Sequence, residues 1–197
     1  MTTDRLEAFS DGCIAIFITI TLLTLQLPAG DTYAALLVQA PAFFCYALSF
    51  IVIGIYWGNH HHLIHTIEQV SAKIMWANLA WLFALSMVSF ATGWMAFHML
   101  APQTVSFYGV ILLACNRTYV YLEHCVVERE REEVKQRGAM CSLDDKLGER
   151  IKERVAMCLY VCGAVVALWL PWVAMLFYFT INVIWFVPDR RIGSTAE

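Results

Sequence analysis

Charge is scarce in this chain. Only 15% of its 197 residues are charged, against 60% hydrophobic, and the mean hydropathy is +0.62. A soluble domain of this length rarely carries such a ratio, so the composition points to an integral membrane protein. Other absences bear on function. No G-x-S-x-G elbow, Walker loop or catalytic carboxylate pair is present, so no enzyme is expected and no cofactor is implied. No basic tract is long or one-signed enough to bind nucleic acid. Seven cysteines, an odd number, include no C-x-x-C pair, and no disulfide framework is indicated. Cys158 and Cys162, four apart, read as buried membrane thiols. There is neither a carbonyl filter of the TVGYG type nor an arginine-repeat voltage sensor. No internal repeat supports a transporter made of inverted halves.

What is present is a series of charge-free stretches: Gly12–Gly30, Thr32–Ile67, Ile74–Asn116 and Val155–Pro188. The first is long enough to cross a hydrocarbon core as a helix. Asp4, Glu7 and Asp11 precede it, opposite in sign to the start of a signal peptide. The third stretch divides at Pro102 and the fourth at Pro171, where proline can open a new helix. The expected fold is all-α: a polytopic membrane protein, residues 1–197 forming one domain of six transmembrane helices, assembling as a multimer. The helices fall at about 4–28, 33–58, 70–99, 103–130, 148–170 and 172–188. A salt-bridge-laced hairpin occupies about 128–154, with eight basic and eight acidic residues.

All thirteen Lys and Arg residues lie at one set of helix ends or on the approach to them; the connections near Pro28, Pro102 and Pro171 hold none. This asymmetry places both termini in the cytoplasm of a multi-pass protein of the cell membrane.

The first helix is odd for a lipid-facing span. Steps of four and three from Gly12 pick out Ile16, Thr19, Leu23 and Gln26 on one face, with Ile20 and Leu27 beside them. Apolar rings alternating with a hydroxyl ring suit the lining of a narrow ion pathway. At the entrance, Arg5 and Asp11 are six apart and do not share a face, so each is expected to meet a neighbouring helix. Ser10 is expected to bond nearby backbone.

The cluster Asn59-His60-His61-His62, with His65 beyond, follows the second helix as a turn. His61 and His65 share a helical face, and Glu68 is the nearest further ligand for a metal. Histidines bonding neighbouring helices are the plainer use, and no metal site is assigned. His98 and His124 lie near opposite faces, which argues against an axial haem pair. The tryptophans, Trp76, Trp81, Trp94, Trp172 and Trp185, suit packing and interfacial anchoring.

The opening Arg5-Leu-Glu-Ala-Phe9-Ser10-Asp11, followed by Gly12, resembles the signature of the transmembrane protein 175 family of potassium channels. Tyr56-Trp57-Gly-Asn-His60-His61 and Asn78 in the third helix also resemble that family's pattern. The resemblance implies a homotetramer whose first helices surround a pore with leak-like permeability to potassium, and weaker permeability to other monovalent cations. It implies an apolar constriction at Ile16 and Leu23 and a cation-selecting hydroxyl layer at Thr19. Gly12, Ile20, Gln26 and Leu27 would complete the lining. Arg5, Phe9, Ser10 and Asp11 would lock the first helix to its neighbours through Trp57, His60, His61 or Asn78. One departure stands out: Ser89-Phe90 occupies the place where the family has proline before phenylalanine. The competing readings are a proton-permeable channel using Asp11 and the histidines, a metal- or haem-binding membrane protein using His60–His65, and a non-conducting structural protein.

Overall fold

The computed structural model describes residues 2–136 and 146–186, with side chains for 2–135 and 154–185. Seven helices follow one another among these residues: α1 (Thr3–Leu23), α2 (Tyr33–Val38), α3 (Ala40–Ile64), α4 (Ala72–Phe97), α5 (Pro102–Gln136), α6 (Lys146–Val166) and α7 (Pro171–Phe186). The middle of the charged hairpin, 137–145, lies outside the described residues. Four helices, α1, α3, α4 and most of α5, are long and apolar enough to cross a membrane. The apolar parts of α6 and α7 are shorter. Helices suit this composition because hydrocarbon offers no partner for backbone N–H and C=O groups.

Helix starts follow local chemistry. The Ser71 hydroxyl accepts a bond from the Ile74 amide at 3.2 Å and caps α4. Pro102 and Pro171 open α5 and α7. The second expected helix is broken at Gln39. Pro41 cannot donate a helical N–H and disfavours helical geometry before it, so the short α2 ends and α3 begins. At its other end α3 runs on to Ile64, so the histidines expected in a turn ride on the helix. α1 stops at Leu23, short of the expected 28, which leaves Gln26 and Leu27 beyond the helix end. Met99 and Leu100, both with left-handed φ (51° and 63°), reverse the chain into α5, and Leu100 is buried there.

α4 is the hub, packing against α1, α3 and α5, while α5 carries α6 and α7. Large apolar side chains such as Trp76, Phe83, Phe90, Trp169 and Trp172 face outward, as expected for lipid contact. Trp81 instead is fully buried. Cys45, Cys115 and Cys125 are buried free thiols, but Cys158 and Cys162 are exposed on α6 rather than packed inside the chain.

Tyr178 of α7 fills the junction of α5, α6 and α7, its hydroxyl donating to the Val105 carbonyl at 3.3 Å. It fits because Gly109 and Gly163 present no side chain: a Cβ on Gly163 would lie 2.6 Å from Tyr178 Cε1. Gly163→Ala should therefore cost about 1–3 kcal/mol by overpacking. Gly54→Ala, whose Cβ would meet nothing within 4 Å, should not. Thermal unfolding in detergent checks this: a lower midpoint is expected for Gly163→Ala alone.

Candidate functional site

α1 has two unlike sides, and polar bonds fix which is which. Leu6, Ser10, Ile14 and Thr21 are buried against the rest of the chain. Ser10 donates to the Leu6 carbonyl at 2.9 Å and accepts from Asn78 Nδ2 at 3.0 Å. Asn78 Oδ1 in turn accepts from His60 Nε2 at 2.8 Å. The chain therefore runs in one direction, His60 to Asn78 to Ser10 to Leu6. An Asn oxygen cannot donate, so the His60 proton sits on Nε2. His60, Asn78 and Ser10 are all fully buried, and the His60 ring stacks on Trp81 at a centroid distance of 4.8 Å.

A second tie lies eleven residues further along both α1 and α4, at about three helical turns. Thr21 Oγ1 donates to Ser89 Oγ at 2.8 Å, and Ser89 donates to the Phe17 carbonyl at 3.1 Å. α4 runs unbroken through Ser89. Near it, Gly93 lets α4 approach Thr24, whose Cβ would be 2.9 Å from an added Cβ. Ser49, Thr92 and Tyr108 repeat the pattern between α3, α4 and α5, with the Ser49 hydroxyl 2.7 and 3.0 Å from the other two.

Toward α3 the ties are antiparallel. Trp57 Nε1 donates to Asp11 Oδ1 at 2.9 Å, and one turn on His61 Nδ1 bonds Glu7 Oε1. His65 Nε2 lies 3.4 Å from the same carboxylate oxygen. Of the residues expected to lock α1, the structure joins Ser10 to Asn78, Asn78 to His60, and Asp11 to Trp57. His61 meets Glu7, which the sequence reading did not single out. The signal was present: Glu7 and Asp11 are four apart on α1, as Trp57 and His61 are on α3. Arg5 and Phe9 are exposed, and Arg5 has no hydrogen bond or ion pair among the described residues. Glu68, the nearest further ligand read from the sequence, is not part of the group formed by Glu7, His61 and His65, and its backbone amide donates to Glu133 Oε2 at 3.2 Å.

The opposite face of α1 is bare. Gly12, Ile16, Thr19, Ile20 and Leu23 are all exposed, Ile16 at 56% and Leu23 at 76%. Gln26 and Leu27, past the helix end, are exposed as well. The stripe is apolar except for Thr19, whose hydroxyl donates to the Ala15 carbonyl at 2.9 Å. That bond uses the only hydroxyl proton and leaves the oxygen lone pairs outward, able to contact a cation but not to donate to an anion.

A family model described as endosomal/lysosomal potassium channel TMEM175 matches residues 5–88, a span that contains most of α1, all of α2 and α3, and most of α4. A potassium channel of Chryseobacterium sp. (strain P1-3) is 41% identical over 197 residues, covering 100% of this chain and 99% of that protein. The chain belongs to the TMEM175 family of potassium channels. A second relative, a potassium channel of Streptomyces collinus (strain DSM 40733 / Tue 365), is 38% identical over 96 residues, covering 47% of each chain. In fold, the chain is similar to the crystal structure of a lysosomal potassium-selective channel TMEM175 homolog from Chamaesiphon minutus. The TM-score is 0.75 at 23% identity, over 93% of this chain and 96% of that one. Like its TMEM175 relatives it is a multi-pass membrane protein and not an enzyme.

The Ser10–Asn78 bond is testable by a double-mutant cycle in thermal or denaturant unfolding. Ser10→Ala and Asn78→Ala should each destabilise, with a coupling of about 0.5–1.7 kcal/mol, the usual range for interhelical bonds in membranes. Strictly additive effects would remove the bond from the account.

Proposed function

We propose that this protein is a potassium-selective, leak-type cation channel in which four copies surround one pore with their α1 helices. The observation that carries the reading is the bare stripe of α1 set against its fully tied opposite side. The buried polar residues of α1, Ser10 and Thr21, are both tied on one side, and the other face meets nothing else among the described residues of the same chain. Four such faces meeting on an axis would cover one another and leave a narrow path. Each copy contributes six membrane spans, α6 and α7 included, with both termini in the cytoplasm of a cell-membrane protein.

Ile16 and Leu23 are the constrictions, where four branched apolar side chains expel water and make a dewetted gate. Thr19 is the selectivity layer. Four hydroxyl oxygens, their protons engaged by Ala15 carbonyls, replace part of a cation's water shell. Potassium surrenders its hydration more cheaply than sodium, so the exchange favours it. Gly12 and Ile20 line the path, with Gln26 and Leu27 at its mouth. The ties at Ser10, Asp11, Trp57, His60, His61 and Asn78 hold the helix in register while its stripe faces the axis; Arg5 and Phe9, exposed within one chain, would act in contacts between copies.

The test is the reversal potential of the purified protein in a planar bilayer with potassium on one side and sodium on the other. It should lie toward the potassium equilibrium potential. Thr19→Val should move it several-fold in permeability ratio toward zero while current persists. Ile16→Asn should raise current several-fold by wetting the constriction, with weaker selectivity. No current above the empty bilayer would contradict the channel reading, and unaltered currents in both variants would remove α1 from the pore.

A further inference from the structure

Glu7, His61 and His65 form the one group among the described residues in which three potential metal-ligating side chains place their donor atoms within 4.8 Å of one another. They come from two helices. Glu7 lies on α1, His61 in the last turn of α3, and His65 caps that helix. The His61 and His65 rings stand nearly perpendicular, 77° apart, with centroids 4.5 Å apart. His61 offers Nδ1 and His65 offers Nε2 to the same Glu7 oxygen. Glu7 is mostly covered, its side chain 14% exposed, while the histidines open to solvent at 46% and 55%.

We propose that these three side chains bind a zinc-type divalent ion that clamps α1 to α3. Two imidazoles and one carboxylate suit zinc, cobalt or nickel; calcium and magnesium prefer all-oxygen sets. With ligand bonds of about 2.0–2.2 Å, a tetrahedral ion holds its ligand atoms roughly 3.3 Å from one another. The His65 Nε2 to Glu7 distance of 3.4 Å already matches. His61 and Glu7 are closer, joined by a hydrogen bond whose proton the ion would displace, and a small rotation of the exposed His61 ring opens the gap. The fourth position is left to water. The clamp lies one helical turn from the Trp57–Asp11 bond, so it reinforces the ladder that holds α1. Its effect on current rests on the channel reading above: a pore helix stiffened at its root opens less, and metal lowers conductance.

Tag-free purified protein titrated with cobalt(II) decides the site without any current. The wild type should develop the visible absorption of tetrahedral cobalt at one ion per chain, and zinc should abolish it. His65→Ala should lower the affinity by more than about tenfold. His65 is exposed and contributes nothing to the Ser10–Asn78–His60 chain, so this variant should fold, which its thermal midpoint checks. No cobalt band, or a band unchanged by His65→Ala and Glu7→Gln, would overturn the site. In bilayers, zinc should reduce wild-type potassium current and spare His65→Ala. A wild-type channel that carries one metal per chain and conducts unchanged would overturn the clamp. A protein without current would contradict the channel reading, while the cobalt titration would still decide the site.

Discussion

Hydrocarbon offers no hydrogen-bond partner, so a polar side chain on a membrane helix must find one inside the protein. The structure of α1 follows from that constraint. Ser10 and Thr21 meet Asn78 and Ser89 at the same offset along α4, which fixes the two helices as parallel and in a single register. Asp11 and Glu7 meet Trp57 and His61 in the opposite order, which fixes α3 as antiparallel. With two neighbours keyed to one side, the 3.6-residue period leaves Gly12, Ile16, Thr19 and Leu23 on the other. The bare stripe is thus a consequence of the ties rather than an independent feature. On the channel reading proposed above, that stripe is the surface from which the path is built.

Buried hydrogen bonds of this kind contribute modestly one by one, and their weight here is in orientation. Leaving the buried Asn78 amide without a partner costs about 1–3 kcal/mol, enough to penalise any rotation of α1 that breaks the chain. An apolar seam alone would permit neighbouring registers at little cost. The directed sequence from His60 to the Leu6 carbonyl permits one.

Much of this was legible in the sequence. The helical fold followed from charge-free stretches, Pro102 and Pro171 open α5 and α7 as read, and the exposed stripe of α1 lies where the spacing put it. Ser10 and Asp11 drew attention as polar residues at a membrane helix entrance, His60 as part of a histidine cluster, and Asn78 only through the family resemblance. What escaped was whatever depends on two helices at once. Glu7 looked like one more entrance charge until the antiparallel register set it against His61 and His65. Thr21 is unremarkable alone, Ser89 stands out only as a departure from the family's pattern, and the two form a tie only because α1 and α4 share an offset. The break at Gln39 turned on Pro41, a local signal outweighed by the long apolar run around it. The loss of Gln26 and Leu27 from the helix turned on where α1 stops, and helix ends are the least legible feature of a sequence.

The central claim is that the bare face of α1 lines the ion path. Cysteine modification tests it most directly: Leu23→Cys, on the stripe, is compared with Trp169→Cys, exposed at the α6–α7 turn. Currents are recorded while a charged methanethiosulfonate is added from the side the α6–α7 turn faces, with the wild type as the background for native thiols. The account predicts irreversible loss of most potassium current in Leu23→Cys, and labelling without loss of current in Trp169→Cys. Full modification of Leu23→Cys with current undiminished would contradict it.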